Sequence, residues 1–197
     1  MLCSKPIWRK NDYKSDSLMS FASLGCNINE KTYRKVTEAI LDPTEFNNLH
    51  HIILSGLIKW EYVPSIVNDD DGDKFQFVHV FYMNNSGEYP TLGFLNPLLN
   101  LIKPKELFRI KANILARTSE IEPNVFHTDI GGNMGVIPYT TSIFYINSNN
   151  GYTEFEDGTK IESVANRLIS FPEEMKHRGT SCTDEKIRVV INFNYLT

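Results

Sequence analysis

Cysteine is scarce. Cys3, Cys26 and Cys182 form an odd set at wide spacings, which excludes a disulfide framework and leaves no C-x-x-C pair for a structural zinc site. A reducing compartment is therefore expected: the cytoplasm, or the host cytoplasm if the chain is phage-encoded. Long apolar runs are missing too. Nothing approaches the roughly 18 consecutive apolar residues of a membrane helix, so no membrane partner is expected. Nor is there a surplus of positive charge. Twenty basic residues against 24 acidic ones leave a net charge of −4, which removes any general attraction to phosphate backbones and disfavours nucleic acid as a partner. Internal repeats are absent, and Gly131-Gly132-Asn133-Met134-Gly135 lacks the spacing of a dinucleotide fingerprint. That glycine-rich stretch reads as a loop where a substrate lid could sit.

What is present suits one domain of 197 residues. Residues 1–28 are polar without a period and read as an arm or an added edge strand. Residues 29–106 read as supporting helices and outer strands, and 107–197 as a β-rich core. The spacing of Tyr33, Val36 and Ile40 predicts one helix. Asp42-Pro43-Thr44-Glu45 predicts the start of a second, with an acidic cap, proline in the first turn and glutamate at the third position. Phe46, Leu49 and Ile53 form its apolar stripe, and Gly56 ends it. Strands are predicted at 57–63 and 75–83, a short helix at 94–101, and a half-buried strand at 107–115 where polar and apolar residues alternate. The acidic stretch Asn68 to Asp73 lacks the ligand spacing of a calcium loop and reads as a solvated turn. Asn84-Asn85-Ser86 reads as a polar turn. Five further strands follow at 139–146, 152–155, 159–163, 167–171 and 187–195, with Asn150-Gly151 and Asp157-Gly158 as turn signals. Frequent short strands of this kind predict a jelly roll or related barrel buttressed by helices.

The chemistry concentrates in three places. His127 and Asp129 are separated by one residue, so in an extended segment both side chains point to the same side. His177 follows fifty residues later, and Arg188 opens the last strand. Two imidazoles and a carboxylate can occupy one face of a metal octahedron and leave the other open, the arrangement that non-heme Fe(II) oxygenases need. An arginine just beyond the second histidine could hold a carboxylate-bearing co-substrate. A His-x-Asp triplet arises by chance in roughly one such sequence in four, so context decides its weight. The other histidines point elsewhere. Adjacent His50 and His51 diverge by about 100° on a helix, and His79 reads as a hydrogen-bonded core residue beside Phe77 and Phe81.

The blocks between the two histidines supply that context. Thr141-Ser142-Ile143-Phe144-Tyr145-Ile146-Asn147 resembles a strand ending in Tyr-Leu-Asn. Gly151-Tyr152-Thr153-Glu154-Phe155 resembles a Gly-Gly-x-Thr-x-Phe turn, with Tyr152 in place of the second glycine. With His127, Asp129, His177 and Arg188 in order around them, residues 107–195 resemble the Fe(II)- and 2-oxoglutarate-dependent oxygenases, in particular small bacterial and phage-type members similar to prolyl hydroxylases.

The resemblance implies a double-stranded β-helix of the jelly-roll or cupin-like kind. It implies iron bound by His127, Asp129 and His177, 2-oxoglutarate bound through Arg188 and Tyr145, dioxygen as co-substrate and ascorbate as a reductant. Retention of Asp129 points away from the related halogenases, which have a small residue there. Many prolyl hydroxylases carry lysine at the position of Arg188, and Asn113 or Arg117 stands where a tyrosine is common. The implied substrate is a peptidyl proline or another protein side chain. A free amino acid or small metabolite is the alternative, and a catalytically silent jelly-roll binding module the alternative of another class.

Overall fold

The computed structural model describes residues 33–67, 73–84, 87, 89–130 and 138–197. The expected arm at 1–28, most of the acidic turn at 68–73, the polar turn at 84–86 and the proposed lid at 131–135 therefore lie wholly or largely outside the described residues.

The clearest local signal forms as expected. Helix α1, Pro43–Leu54, begins where the Asp42 carboxylate accepts the backbone N–H groups of Thr44 and Glu45, satisfying donors that a helix start leaves unpaired. It ends at Ser55, and Gly56 follows at φ +81°. That turn shortens the next expected strand: only Glu61–Val63 (β2) is extended. The helix predicted from Tyr33, Val36 and Ile40 is not formed. Lys35–Thr37 is instead a strand, β1, paired with Ser170, Ile169 and Leu168. An apolar spacing over so short a stretch carries less weight than an open sheet edge that offers a full ladder of hydrogen bonds.

The remaining elements are β3 (Gln76–Met83), a 3-10 turn (Leu92–Leu95), α2 (Asn96–Ile102), β4 (Glu106–Ala116), β5 (Tyr139–Tyr145), β6 (Asn149–Phe155), β7 (Lys160–Ser163), β8 (Leu168–Pro172), β9 (His177–Gly179) and β10 (Ile187–Leu196). Asn150-Gly151 is not a turn. It lies within β6, at an irregularity in its pairing with β7, because β6 is held from both sides by β7 and β9. Asp157-Gly158 does turn, with Gly158 at φ +81°.

Seven strands form an antiparallel sheet in the order β1-β8-β5-β10-β4-β3-β2, and three form a second sheet, β7-β6-β9. Alternation along β10 assigns its two faces. Val189, Ile191, Phe193 and Tyr195 pack with Leu49 and Ile53 of α1, Leu98 of α2, and Leu95 just before it. On the opposite side, Ile143, Tyr145, Ile169, Phe171 and Val190 of the large sheet meet Phe155 and Ile161 of the small one. Burying each such side chain contributes about 1.5–3 kcal/mol before the entropy cost is counted. The fold is a double-stranded β-helix with helices packed outside, and one end of the space between its sheets is polar.

Candidate metal centre

Three predicted residues meet at that polar end. The segment carrying His127 runs beside β9: the N–H of His127 donates to the carbonyl of His177, and the N–H of His177 to the carbonyl of His127, at 3.0 and 2.9 Å. This reciprocal pair sets the two imidazoles side by side, with ring centres 4.9 Å apart. Asp129 lies two residues on. One of its carboxylate oxygens, Oδ1, is 3.6 Å from His127 Nε2 and 3.8 Å from His177 Nε2. Among the described residues this is the group of histidine, cysteine and acidic side chains whose donor atoms converge, all within 4.8 Å of one another.

The surroundings prepare these atoms. His127 Nδ1 faces the carbonyl of Val125 at 3.1 Å and His177 Nδ1 that of Met175 at 3.3 Å. A proton on each Nδ1 is held by a carbonyl, so each Nε2 is left as a bare donor. Asp129 Oδ2 accepts the Asn194 amide at 3.0 Å, and Asn194 Oδ1 in turn accepts Arg109 Nε at 3.1 Å. Arg109 also donates to the backbone carbonyl of Asp129 at 2.8 Å. Burial pushes the Asp129 carboxyl up. The facing His127 imidazole and the charges of His177 and Arg109 outweigh it and hold the group well below the usual carboxylate range. Burial lowers His177. Burial opposes but does not overcome Asp129's upward effect on His127.

Arg188 enters the same pocket from β10 and is 3% exposed. Its Nε donates to Ser163 Oγ at 2.8 Å and one terminal nitrogen to Thr153 Oγ1 at 3.2 Å. No carboxylate pairs with it among the described residues. A buried guanidinium without a counter-ion is expensive, and burial pulls its pKa down. Glycines make its room: a Cβ on Gly151 would stand 2.8 Å from Arg188 Cδ, and one on Gly179 3.1 Å from a terminal nitrogen. Tyr145 is fully buried, and its hydroxyl donates to Thr153 Oγ1 at 2.8 Å. Thr153 lines the pocket. Having accepted two hydrogen bonds, its hydroxyl has its own proton left to donate inward.

The inner pocket, about 60 Å³, is lined by His127, Asp129, His177, Arg188, Thr153, Asn113 and Asn192, among others. A wider cleft of about 470 Å³ opens outside Asp129, between Arg109, Lys111, Phe126 and Ile130. The side-chain oxygens of Asn113 and Asn192 are buried without partners. Lys111 lines both spaces and Arg117 neither. His79 is hydrogen-bonded to Lys59 and Thr91, and His50 stacks on Phe46; neither joins the group. Sequence reading did not single out Thr153, Ser163, Arg109 or Asn194. Thr153 was within reach as the threonine of the Gly-x-Thr-x-Phe block. Asn194 was within reach as an even-numbered neighbour of Arg188 on one strand face.

These residues suit a divalent metal with a carboxylate co-ligand. The donor set is two neutral nitrogens and one oxygen, backed by outer hydrogen bonds. The uncompensated Arg188 and the two partnerless asparagine oxygens mark a pocket built for a polar occupant.

No family model matches the chain, and no curated protein matches it. Its fold does match solved structures. One is the non-heme alpha ketoglutarate dependent epimerase SnoN from nogalamycin biosynthesis: TM-score 0.59, 13% identity, 84% of this chain and 77% of that one. SnoN in complex with Fe3+, alpha ketoglutarate and nogalamycin RO matches at TM-score 0.55 and 11% identity, over 84% and 79%. A prolyl hydroxylase from Trichoplax adhaerens, in complex with a hypoxia inducible factor peptide fragment, matches at TM-score 0.58 and 14% identity, over 85% and 84%. At such identities the likeness establishes the fold.

Proposed function

We propose that this protein is an Fe(II)- and 2-oxoglutarate-dependent dioxygenase that hydroxylates a substrate C–H bond. The observation that carries the reading is Arg188: a buried cation, without a counter-ion among the described residues, that shares one pocket with His127, Asp129 and His177. An inert jelly roll gains nothing from such a charge. A dicarboxylate with one end at the metal and the other at Arg188 neutralises it.

His127, Asp129 and His177 would hold the iron. Iron(II) held in this way, with 2-oxoglutarate and dioxygen, supplies the oxidising power to insert one oxygen atom into a C–H bond, the other oxygen going to succinate as carbon dioxide leaves. The protein's own groups orient and exclude. Val125 and Met175 fix the imidazole tautomers, and Asn194 and Arg109 hold the carboxylate of Asp129 ionised and aimed. Arg188 offers two N–H groups to a carboxylate in a fixed fork. Thr153 adds a hydroxyl proton, and Tyr145 acts through Thr153 by fixing which way that hydroxyl points. Phe155 and Phe171 pack around His177 and keep water from that side.

A peptidyl proline or another protein side chain is the substrate that likeness to the prolyl hydroxylases suggests. The deciding experiment is an anaerobic titration with Fe(II) and then 2-oxoglutarate. A weak visible charge-transfer band should develop with the second addition and be missing in His127→Ala, Asp129→Ala and His177→Ala. Folded wild-type protein that gives no band would overturn the assignment.

A further inference from the structure

Among the described residues, Lys111 is a cation of this site with nothing to hold. It stands on β4 opposite Asn192 of β10, lines both the inner pocket and the outer cleft, and its ammonium makes no hydrogen bond or ion pair among the described residues. Asp129 favours it by charge but makes no contact with it: one oxygen accepts Asn194, and the other faces the two imidazoles and Arg109. Arg109 is itself engaged, with Asn194 and the Asp129 carbonyl. Burial, with the charge of Arg109, disfavours the ammonium more than the charge of Asp129 favours it, so a direct partner would have been favourable. Among the described residues none is provided.

Position separates Lys111 from the co-substrate anchor. Along β10, Asn192 is four residues from Arg188, about 13 Å at the rise of a strand, so the two cations address different ends of the cavity. Charge points the same way. With a divalent metal, Asp129, a dianionic co-substrate and Arg188 balanced against one another, Arg109 and Lys111 leave the mouth positive. A neutral or cationic substrate would bury the ammonium unpaired, at considerable cost.

Building on the dioxygenase reading, we infer that Lys111 recognises the prime substrate, and that this substrate carries a carboxylate near the carbon to be oxidised. Phe126 and Ile130 give its remainder an apolar wall. The cleft of about 470 Å³ is within the range of small-molecule sites, so a free amino or carboxylic acid fits, as does an acidic side chain presented by a peptide.

The test uses the full chain with Fe(II), ascorbate and 2-oxoglutarate, and reads succinate release. One arm adds free amino acids and short carboxylic acids, each beside its carboxamide. The other adds blocked peptides with a single Asp or Glu, each beside its Asn or Gln twin. An acid should stimulate release about tenfold or more where its amide does not, and the responding arm identifies the source. Lys111→Met should raise that acid's KM about thirtyfold or more, the loss of one charge-assisted contact, and Lys111→Arg should restore part of it. A readout independent of turnover is melting of the protein with Mn(II) and N-oxalylglycine: the same acid should raise the melting temperature in wild type and not in Lys111→Met. If Lys111→Met fails to fold, Lys111→Gln replaces it. Amides that work as well as acids would overturn the inference, as would silence of every acid in both arms while basal succinate forms. So would a Lys111→Met effect that falls on 2-oxoglutarate more than on the acid. Wild-type protein without metal-dependent succinate release would bring down the dioxygenase reading itself.

Discussion

The two faces of β10 are built from alternate residues of one strand, and both are buried, yet they are finished differently. Val189, Ile191, Phe193 and Tyr195 meet the helices through apolar surfaces already in place, and the one hydroxyl among them, that of Tyr195, is paired with Ser142. Arg188, Asn192 and Asn194 look the other way. On that face, among the described residues, a guanidinium has no carboxylate beside it and the Asn192 amide oxygen has no partner. Dispersion and burial complete the first face within the fold; the second is completed only when something enters. A strand can therefore serve stability and chemistry at once because its period of two keeps the tasks apart.

Breaking the first face should have the largest effect. Phe193→Ala removes a fully buried ring and should cost about 3–5 kcal/mol of unfolding free energy, read by denaturant titration, whether or not metal and co-substrate are present. A loss under 1 kcal/mol would mean that the helices do not depend on this face.

The second face should respond in the opposite sense. Arg188→Leu replaces an uncompensated buried charge by an apolar group, so the ligand-free protein should melt at the same temperature or higher. The same change should weaken 2-oxoglutarate or N-oxalylglycine by about 2–4 kcal/mol. Wild-type protein with Mn(II) should gain about 2.7 kcal/mol from N-oxalylglycine at a hundredfold excess over Kd, and should lose the gain when EDTA removes the metal. Asp129→Ala should lose both the stabilisation by Mn(II) itself and the N-oxalylglycine increment, and Arg188→Leu only that of N-oxalylglycine. If Arg188→Leu keeps the full increment, the anchor lies elsewhere.

A finer contrast concerns groups that act on Arg188 without being it. Tyr145→Phe deletes the hydrogen bond to Thr153 and should weaken 2-oxoglutarate by roughly 1 kcal/mol. Gly179→Ala brings a methyl to 3.1 Å from the guanidinium, the movable end of a long side chain, so it should raise the KM for 2-oxoglutarate while leaving the unfolding midpoint nearly unchanged. Gly151→Ala meets the Ser181 carbonyl at 2.6 Å as well as Arg188 Cδ. Backbone cannot yield so easily, and that variant should lose stability too.

The same duality explains what could be read from the sequence. The alternation along residues 107–115 looks like a strand half in water, since Lys111 and Asn113 are polar. Asn113 is in fact buried and Lys111 lines the cavity, because alternation reports two different environments and does not say that one of them is solvent. His127, Asp129, His177 and Arg188 were legible because metal and carboxylate chemistry restricts residue type and spacing. Ser163 and Arg109 were not, because a serine or arginine acquires its role from a neighbour brought close by the fold. The strand at Lys35–Thr37 was missed for a related reason: its partners on β8 are more than a hundred residues away. Asn150-Gly151 has the residues of a turn but sits where Gly151 is needed for the close approach of Arg188 and the Ser181 carbonyl.

The smallest expected effect lies outside both faces and serves as their reference. Arg34, just before β1, is hydrogen-bonded to Asp157 at the turn between β6 and β7. That bond draws the carboxyl down to about 2 from an ordinary 3.8. A carboxyl lowered in the folded state adds stability that is present above its unfolded value and lost as pH falls through the folded one. The contribution should therefore be constant at neutral pH and fade between about pH 4 and pH 2. The Asp157 side chain is 53% exposed, so solvent screening should keep the contribution below about 1 kcal/mol. Asp157→Asn should accordingly lower the unfolding midpoint slightly at pH 7, with the gap to wild type narrowing as acid is added and shrinking further in high salt. The variant should leave the N-oxalylglycine increment intact, because Asp157 touches neither face of β10. A gap that widens with acid would reverse the sign assigned to this pair. A lost increment would show that the outer turn and the pocket are coupled, and that the separation drawn along β10 does not hold.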